Sequence, residues 1–226
     1  MKAFIIIMKE SEHSTKLGTD CVDAAKKYGI DVEIWPAVYG FNAAEKFQQY
    51  GITKFVGDAM KLPGIQGCFL SHYELWCKCV ELNETLLILE HDGMMIRRLP
   101  ADIETHFDDV LNLDPHREKK YPEYAEAVNA GLNKEIKYFY APARKELEAG
   151  EYVVGAHGYL IKPNAARKLI EFTHRVGAMA PDKQIGRKVV DLKSTTETII
   201  GLHDFYLTNN MKKFSSTKNL DKLSHM

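Results

Sequence analysis

Three short apolar runs, set apart by helix-like stretches, constrain this chain more than any other feature. Ala3-Phe-Ile-Ile-Ile-Met8 is apolar without a break. A strand with one wet face alternates, whereas an unbroken run suits a strand covered on both faces, as in a parallel sheet. A helical stretch follows from about Ser14 to Tyr28 and stops at Gly29. Asp31-Val-Glu-Ile-Trp35 alternates and then meets Pro36, which predicts a second strand. Residues 41–64 are mixed and broken by Gly51, Gly57, Pro63 and Gly64. From about Gln66 to Leu82, Phe69, Tyr73, Trp76 and Val80 recur at helical spacing on one face. Thr85-Leu-Leu-Ile-Leu89 is the third buried run, and it leads straight into Glu90-His91-Asp92-Gly93. Strand, helix, strand, helix, strand requires right-handed parallel crossovers, hence an α/β sheet flanked by helices. Ligands of such sheets bind beyond the carboxyl ends of the strands. Lys9, Tyr39 and Glu90–Asp92 all fall at or just past those ends.

The rest of the chain is less regular. Residues 113–150 are polar, with Tyr121, Tyr124, Tyr138 and Tyr140 among mixed charges. A connection this long predicts a functional lid or a partly disordered segment, with some short helix within it. Tyr152 to Lys162 regains strand character, broken by Gly155 and Gly158, and Pro163 opens a helix that runs to about Val176. Thr195–Ile200 and His203–Leu207 supply the last elements, and Ser215–Met226 reads as a polar tail.

Composition narrows the class. The chain has 226 residues, 45% hydrophobic and 27% charged, which suits an ordinary globular domain rather than a disordered chain. No apolar run approaches the ~20 residues needed to cross a bilayer. The opening run is too short for a secretion signal, so a cytoplasmic location is expected. Cys21, Cys68, Cys77 and Cys79 include no Cys-x-x-Cys pair and are expected to be reduced thiols in the core. Residues 161–226 carry twelve Lys/Arg against six Asp/Glu; the net charge of −1 then leaves −7 for residues 1–160. A basic C-terminal third suits an anionic ligand, or is simply a solvated helix face with a basic tail.

Glu90 and Asp92 are two residues apart, a spacing that puts side chains on one side of an extended chain. Two hard oxygen donors at one point suit Mg²⁺ or Mn²⁺. Such an ion bridges phosphates and neutralises a leaving nucleoside diphosphate. The competing reading is a solvated strand end whose acids mark a turn. His72 lies beside the Phe69–Tyr73–Trp76 stripe. It is either a core histidine with a satisfied hydrogen bond or a contact that orients the acidic loop or the donor phosphates. His157 and His203 are further candidate ligands.

Gly67-Cys-Phe-Leu-Ser-His72, then Trp76, then Leu87-Ile-Leu-Glu-His-Asp92 resembles glycosyltransferase family 25, the lipopolysaccharide and collagen galactosyltransferase-like group. That family shows Gly-Cys-x-x-Ser-His at a helix start and Ile-Leu-Glu-Asp-Asp at a strand end. Ala37-Val-Tyr-Gly40 resembles its Ala-Val-Asp-Gly turn, Gly158–Ile170 its Ala-Tyr-Leu-Ile…Gly-Ala-Lys-Leu-Leu element, and Pro181-Asp182 its Pro-Val-Asp. The matches are collinear from about residue 3 to residue 185. The resemblance implies a single glycosyltransferase A-type domain over residues 1–210, with a mostly parallel Rossmann-like sheet. Residues 1–95 would bind the nucleotide sugar, 113–150 would form an acceptor-side insertion, 151–210 an acceptor half and 211–226 a basic tail.

The activity it implies is inverting, metal-dependent transfer from a nucleotide sugar, a UDP-sugar first among them, with Mn²⁺ or Mg²⁺. Met8, Lys9, Tyr39, Gly40, Ser71, His72, Glu90 and His91 become donor-binding candidates, and Asp92, Glu90 and His203 metal ligands. His91 replaces the middle acid and Tyr39 replaces an acid of the turn, so this chain departs from the family's pattern at both places. Asp182 is the first candidate for the general base that takes the acceptor's proton, unless it merely caps a helix starting at Lys183; Asp191 is the second. Lys212, Lys213 and Lys218 could fold over the diphosphate. The acceptor is a saccharide or, in a phage member acting in its host's cytoplasm, a hydroxymethylated base in DNA. A non-catalytic nucleotide-sugar-binding module and a nucleotidyltransferase are the competing functions.

Overall fold

The computed structural model describes residues 1–114, 155–186, 189–195 and 197–204. The tyrosine-bearing segment, the boundary at residue 210 and the tail with Lys212, Lys213 and Lys218 lie outside the described residues. The strand-helix-strand-helix-strand order predicted for the first half is found, with one short helix, α2, added before the second long one: β1 (Lys2–Ile7), α1 (Glu12–Lys27), β2 (Val32–Pro36), α2 (Ala43–Gln49), α3 (Pro63–Leu82) and β3 (Leu86–Glu90). After these come β4 (Gly93–Met95), β5 (Val110–Asn112), β6 (Gly158–Ile161), α4 (Pro163–Val176), α5 (Pro181–Gln184), β7 (Leu192–Ser194) and β8 (Ile200–Leu202).

Six strands form one sheet in the order β2-β1-β3-β6-β5-β7. The β1–β2, β1–β3 and β5–β7 pairings are parallel, and β6 runs antiparallel to both β3 and β5. The domain is therefore mixed α/β with a mostly parallel central sheet. β4 and β8 pair separately as a small antiparallel ribbon.

The unbroken apolar runs are explained by burial on both faces. Phe4, Ile6, Leu86 and Ile88 pack into the core with Phe69, Trp76 and Leu169 of α3 and α4. Ala3, Ile5, Ile7, Leu87 and Leu89 pack into the opposite core with Cys21 and Ala25 of α1. Each aliphatic side chain buried this way contributes roughly 1.5–3 kcal/mol. β2 sits at the sheet edge, and its Ile34 is exposed, which accounts for its alternating sequence. Two helix ends follow the local sequence. Ser11 caps α1, its side chain accepting from Ser14 N, and Asn83 closes α3 in the left-handed region at φ 49°.

Some elements differ from the sequence reading. The strand expected over 152–162 is limited to Gly158–Ile161 among the described residues, after Gly155 at φ 91°. Of the described residues of the element expected over 195–200, only the last belongs to a strand: β7 ends just before the element and β8 begins at Ile200. α2, β4 and β5 were not foreseen, since elements of three to seven residues carry too few side chains to show a period. No helix among the described residues is long and apolar enough to cross a membrane.

Candidate functional site

β3 ends at Glu90, and His91 and Asp92 form a turn before β4. The two acids therefore do not share one extended strand, which corrects the geometry expected from their spacing. Period two still places Glu90 on the face of Leu86 and Ile88, toward α3. The turn is tight because the backbone of residue 157 crosses it. Glu90 N–H donates to the His157 carbonyl at 3.1 Å, and a Cβ on Gly93 would lie 2.1 Å from that oxygen.

A buried hydrogen-bond chain holds Glu90. Trp76, Tyr159 and His72 have no solvent exposure. Trp76 Nε1 lies 3.0 Å from the Tyr159 hydroxyl, which lies 2.9 Å from His72 Nδ1, and His72 Nε2 lies 3.0 Å from Glu90 Oε1. An indole N–H can only donate, so the Tyr159 oxygen accepts it. The tyrosine proton then goes to His72 Nδ1, and His72 Nε2–H donates to Glu90; this order satisfies every member. Cys68 Sγ reaches the same Oε1 at 3.8 Å. No hydrogen bond among the described residues reaches Oε2. Burial alone would raise the Glu90 carboxyl. The His72 hydrogen bond, with the electrostatic influence of the imidazoles of His72, His157 and His91, overcomes it and holds Glu90 below the ordinary carboxylate range.

α3 also grips the turn after β2. Ser71 Oγ donates to Gly67 O at 2.8 Å and accepts Val38 N–H at 2.9 Å. Gly67 lets that turn approach, because a Cβ there would meet Val38 O at 2.4 Å. Gly40 is equally confined, 2.3 Å from Pro63 O at its Cβ position. At the other side, Met8 N–H donates to Ser14 Oγ, tying the end of β1 to α1.

These contacts frame a pocket that opens to solvent at the carboxyl ends of β1, β2 and β3. Ile6 and Met8 come from β1 and its end, and Ala37, Val38 and Gly40 from the turn after β2. Gly64, Cys68, Ser71 and His72 come from α3, and Glu90 and His91 from the end of β3. This is where open α/β sheets bind ligands.

Asp92 lies beside the pocket rather than in its lining. Its Oδ1 is buried and has no hydrogen-bond partner among the described residues. Burial, and then the charge of Glu90, raise its carboxyl above the ordinary range against the pull of His91 and His157. An orphaned carboxylate oxygen beside a second acid fits a bound cation. His157 is buried with Nε2 2.5 Å from Asp114 Oδ2. Burial opposes its charge, but Asp114, Asp92 and Glu90 together raise it.

Six of the donor-binding candidates meet in the pocket: Met8, Gly40, Ser71, His72, Glu90 and His91. Lys9 is exposed in the turn after β1, and the Tyr39 ring lies 5.3 Å from that of Phe41, outside the lining. His203 N–H donates to the Asp92 carbonyl at 2.8 Å, but its Nε2 faces Asp20 at 3.3 Å. Asp182 stands in the first turn of α5, which Ala180 caps without a side-chain bond, so it is not the cap. It lies close enough to Cys68 for its charge to raise that thiol, behind burial and Glu90. Asp191 is placed at the other end of the sheet. Its carbonyl accepts from Val110, which shares a β6 partner, Ile161, with Leu86 at the start of β3. Cys68, Asp114 and Tyr159 were missed. Cys68 is not a core thiol but lines the pocket, and its i, i+4 spacing to His72 was the available signal.

The family described as glycosyltransferase family 25 (LPS biosynthesis protein) matches residues 1–185. A glycosyltransferase 25 family member from Anopheles gambiae is 30% identical over 185 residues, 73% of this chain and 28% of its own. One from Aedes aegypti is 29% identical over 165 residues, 63% of this chain and 24% of its own. The chain thus spans about a quarter of the length of these curated relatives. The apo structure of mouse xyloside xylosyltransferase 1 aligns over 81% of this chain and 78% of its own with a TM-score of 0.33 and 8% identity, a likeness too slight to bear on fold or function. With the Gly67–His72 and Leu87–Asp92 motifs inside the matched span, this chain belongs to glycosyltransferase family 25.

Proposed function

We propose that this chain transfers a sugar from a nucleotide-sugar donor, a UDP-sugar foremost, to an acceptor hydroxyl with inversion at the anomeric carbon. The observation that carries the reading is the pocket at the mouths of β1–β3, with Glu90 held ionised at its edge and Asp92 Oδ1 orphaned beside it. Glu90 Oε2 and Asp92 Oδ1 would hold Mn²⁺ or Mg²⁺, which neutralises charge on a leaving nucleoside diphosphate. Met8, Ala37, Val38 and Gly40 provide walls against which the nucleotide packs. His91 stands where a donor phosphate would meet the strand end. His72, Tyr159 and Trp76 keep Glu90 in one orientation and one charge state.

Transfer forms a bond from the acceptor oxygen to the anomeric carbon as the bond to the diphosphate breaks on the opposite face. The acceptor's proton goes to a base, and Asp182 is the carboxylate assigned to that role. Its place near Cys68, which lines the pocket, supports the assignment. Asp191, at the opposite end of the sheet, is not retained in it.

The test is release of nucleoside diphosphate from a panel of nucleotide sugars, with saccharides and hydroxymethylated DNA offered as acceptors. Mn²⁺-dependent release that disappears in Asp92→Asn is the expected result. Donor binding with no turnover on any acceptor would overturn the reading in favour of a binding module.

A further inference from the structure

We propose that Cys68, His72 and Glu90 form a site for one thiophilic divalent cation of the zinc type, with its fourth coordination position open to the pocket. Cys68 and His72 are four residues apart on α3 and so lie on one face of the helix. Glu90 meets them from the end of β3. One ligand atom from each lies within 4.8 Å of the other two. Cys68 Sγ is 3.8 Å and His72 Nε2 is 3.0 Å from Glu90 Oε1. A tetrahedral zinc ion with bonds of about 2.3 Å to sulfur and about 2.0–2.2 Å to nitrogen and oxygen sets its donors about 3.3–3.6 Å apart. Movements of a few tenths of an ångström bring these two pairs to that spacing, and the Cys68–His72 pair, within 4.8 Å, must close by at most about 1.2 Å.

Sulfur, imidazole and carboxylate together favour zinc-like ions over Mg²⁺ or Mn²⁺, which prefer oxygen. Three protein ligands and one open position is the arrangement of zinc sites that accept a ligand. All three residues line the pocket, so the open position faces the space proposed for the donor. His72 also has the outer partner that a ligating histidine needs: its Nδ1 lies 2.9 Å from the Tyr159 hydroxyl. On binding, the S–metal bond forms and the Cys68 thiol proton leaves to solvent. The single His72 ring proton moves from Nε2 to Nδ1 by exchange with solvent, so the imidazole stays neutral and Nδ1–H then donates to the Tyr159 oxygen. The ion replaces the His72–Glu90 hydrogen bond. Glu90 offers Oε1 to this site and Oε2 to the proposed Mn²⁺ or Mg²⁺ site.

The test is titration of the full, metal-free chain with Co²⁺, followed by Zn²⁺ displacement. One equivalent of Co²⁺ is expected to give a thiolate-to-cobalt charge-transfer band that Zn²⁺ abolishes. The band should persist in Asp92→Asn and vanish in Cys68→Ser. No band in the wild-type chain, or a band that survives Cys68→Ser, overturns the site. Should Cys68→Ser fail to fold, alkylation of wild-type Cys68 by iodoacetamide decides, read by peptide mass spectrometry. Zn²⁺ should slow it by about tenfold or more, since a bound thiolate is withdrawn from reaction, and an unchanged rate overturns the proposal. The cobalt band without any glycosyl transfer would refute the transferase reading alone, and Mn²⁺-dependent transfer without the band would refute this site alone.

Discussion

Tyr159→Phe tests the buried chain that holds Glu90. The change removes one oxygen and keeps the ring, so the core around this fully buried side chain keeps its volume. Two buried groups lose their partner at once: Trp76 Nε1–H, now 3.0 Å from the hydroxyl, and His72 Nδ1, now 2.9 Å from it. A buried polar group left unsatisfied costs about 1–3 kcal/mol, so the pair costs about 2–4 kcal/mol after partial relaxation. In a domain of this size each kcal/mol moves the melting temperature by about 2–4 °C, which puts the expected fall at about 5–15 °C. The same change frees His72 from a single tautomer and loosens Glu90, and losing such an outer partner lowers metal affinity or activity by about 10–100-fold. Calorimetric melting with Mn²⁺ titration reads both effects. In a double-mutant cycle with His72→Gln the two costs should be strongly non-additive, because both changes break one chain. A melting temperature within about 1 °C of wild type, or additive costs in the cycle, would refute the chain as a coupled unit.

Asp92→Asn should stabilise the metal-free protein by about 1–2 kcal/mol, because it removes a carboxylate with a buried, orphaned oxygen, and should abolish stabilisation by Mn²⁺; a lower melting temperature contradicts this. Glu90 titrates below its ordinary value, so its contribution is present above an unfolded-state pKa of about 4.3 and is lost only as pH falls through the lower folded value. The stability gap between wild type and Glu90→Gln should therefore hold from neutral pH to about 5 and shrink below about 4, and a pH-independent gap in urea unfolding rules that out. Gly67→Ala puts a Cβ 2.4 Å from the Val38 carbonyl, a main-chain atom that cannot swing away. It should cost about 1–3 kcal/mol and weaken UDP binding by displacing the turn that walls the pocket, measured by urea unfolding and calorimetric titration. Asp182→Asn should lower kcat by about 10²–10⁴-fold with little change in donor KM, and a normal kcat would remove Asp182 as the base.

Much of the first half was legible because its elements are long and periodic. The unbroken run from Ala3 to Met8 signals a strand covered twice, and the structure buries Phe4 and Ile6 on one face and Ile5 and Ile7 on the other. The Phe69–Tyr73–Trp76 stripe locates the buried face of α3, and its two competing readings of His72 merge: the histidine is a satisfied core residue whose partner is the acid itself. The second half was less legible. β5 and β7 are three residues each and exist because β6 and β5 respectively pair with them, a non-local cause that no short window records.

The sequence by itself determined the alternation of strands and helices, the two faces of β1 and β3, and the acids at a strand mouth. Those depend on the period of side chains along one element, which is a local property. Only the tertiary structure decided that Glu90 and Asp92 part at a turn and that Asp191 lies at the wrong end of the sheet. Only the structure joined Trp76, Tyr159, His72, Cys68 and Glu90 across three elements. Their distances depend on how β3 is flanked by β1 and β6 and on how closely Gly67 lets α3 approach the turn after β2, and neither is written in any single stretch of chain.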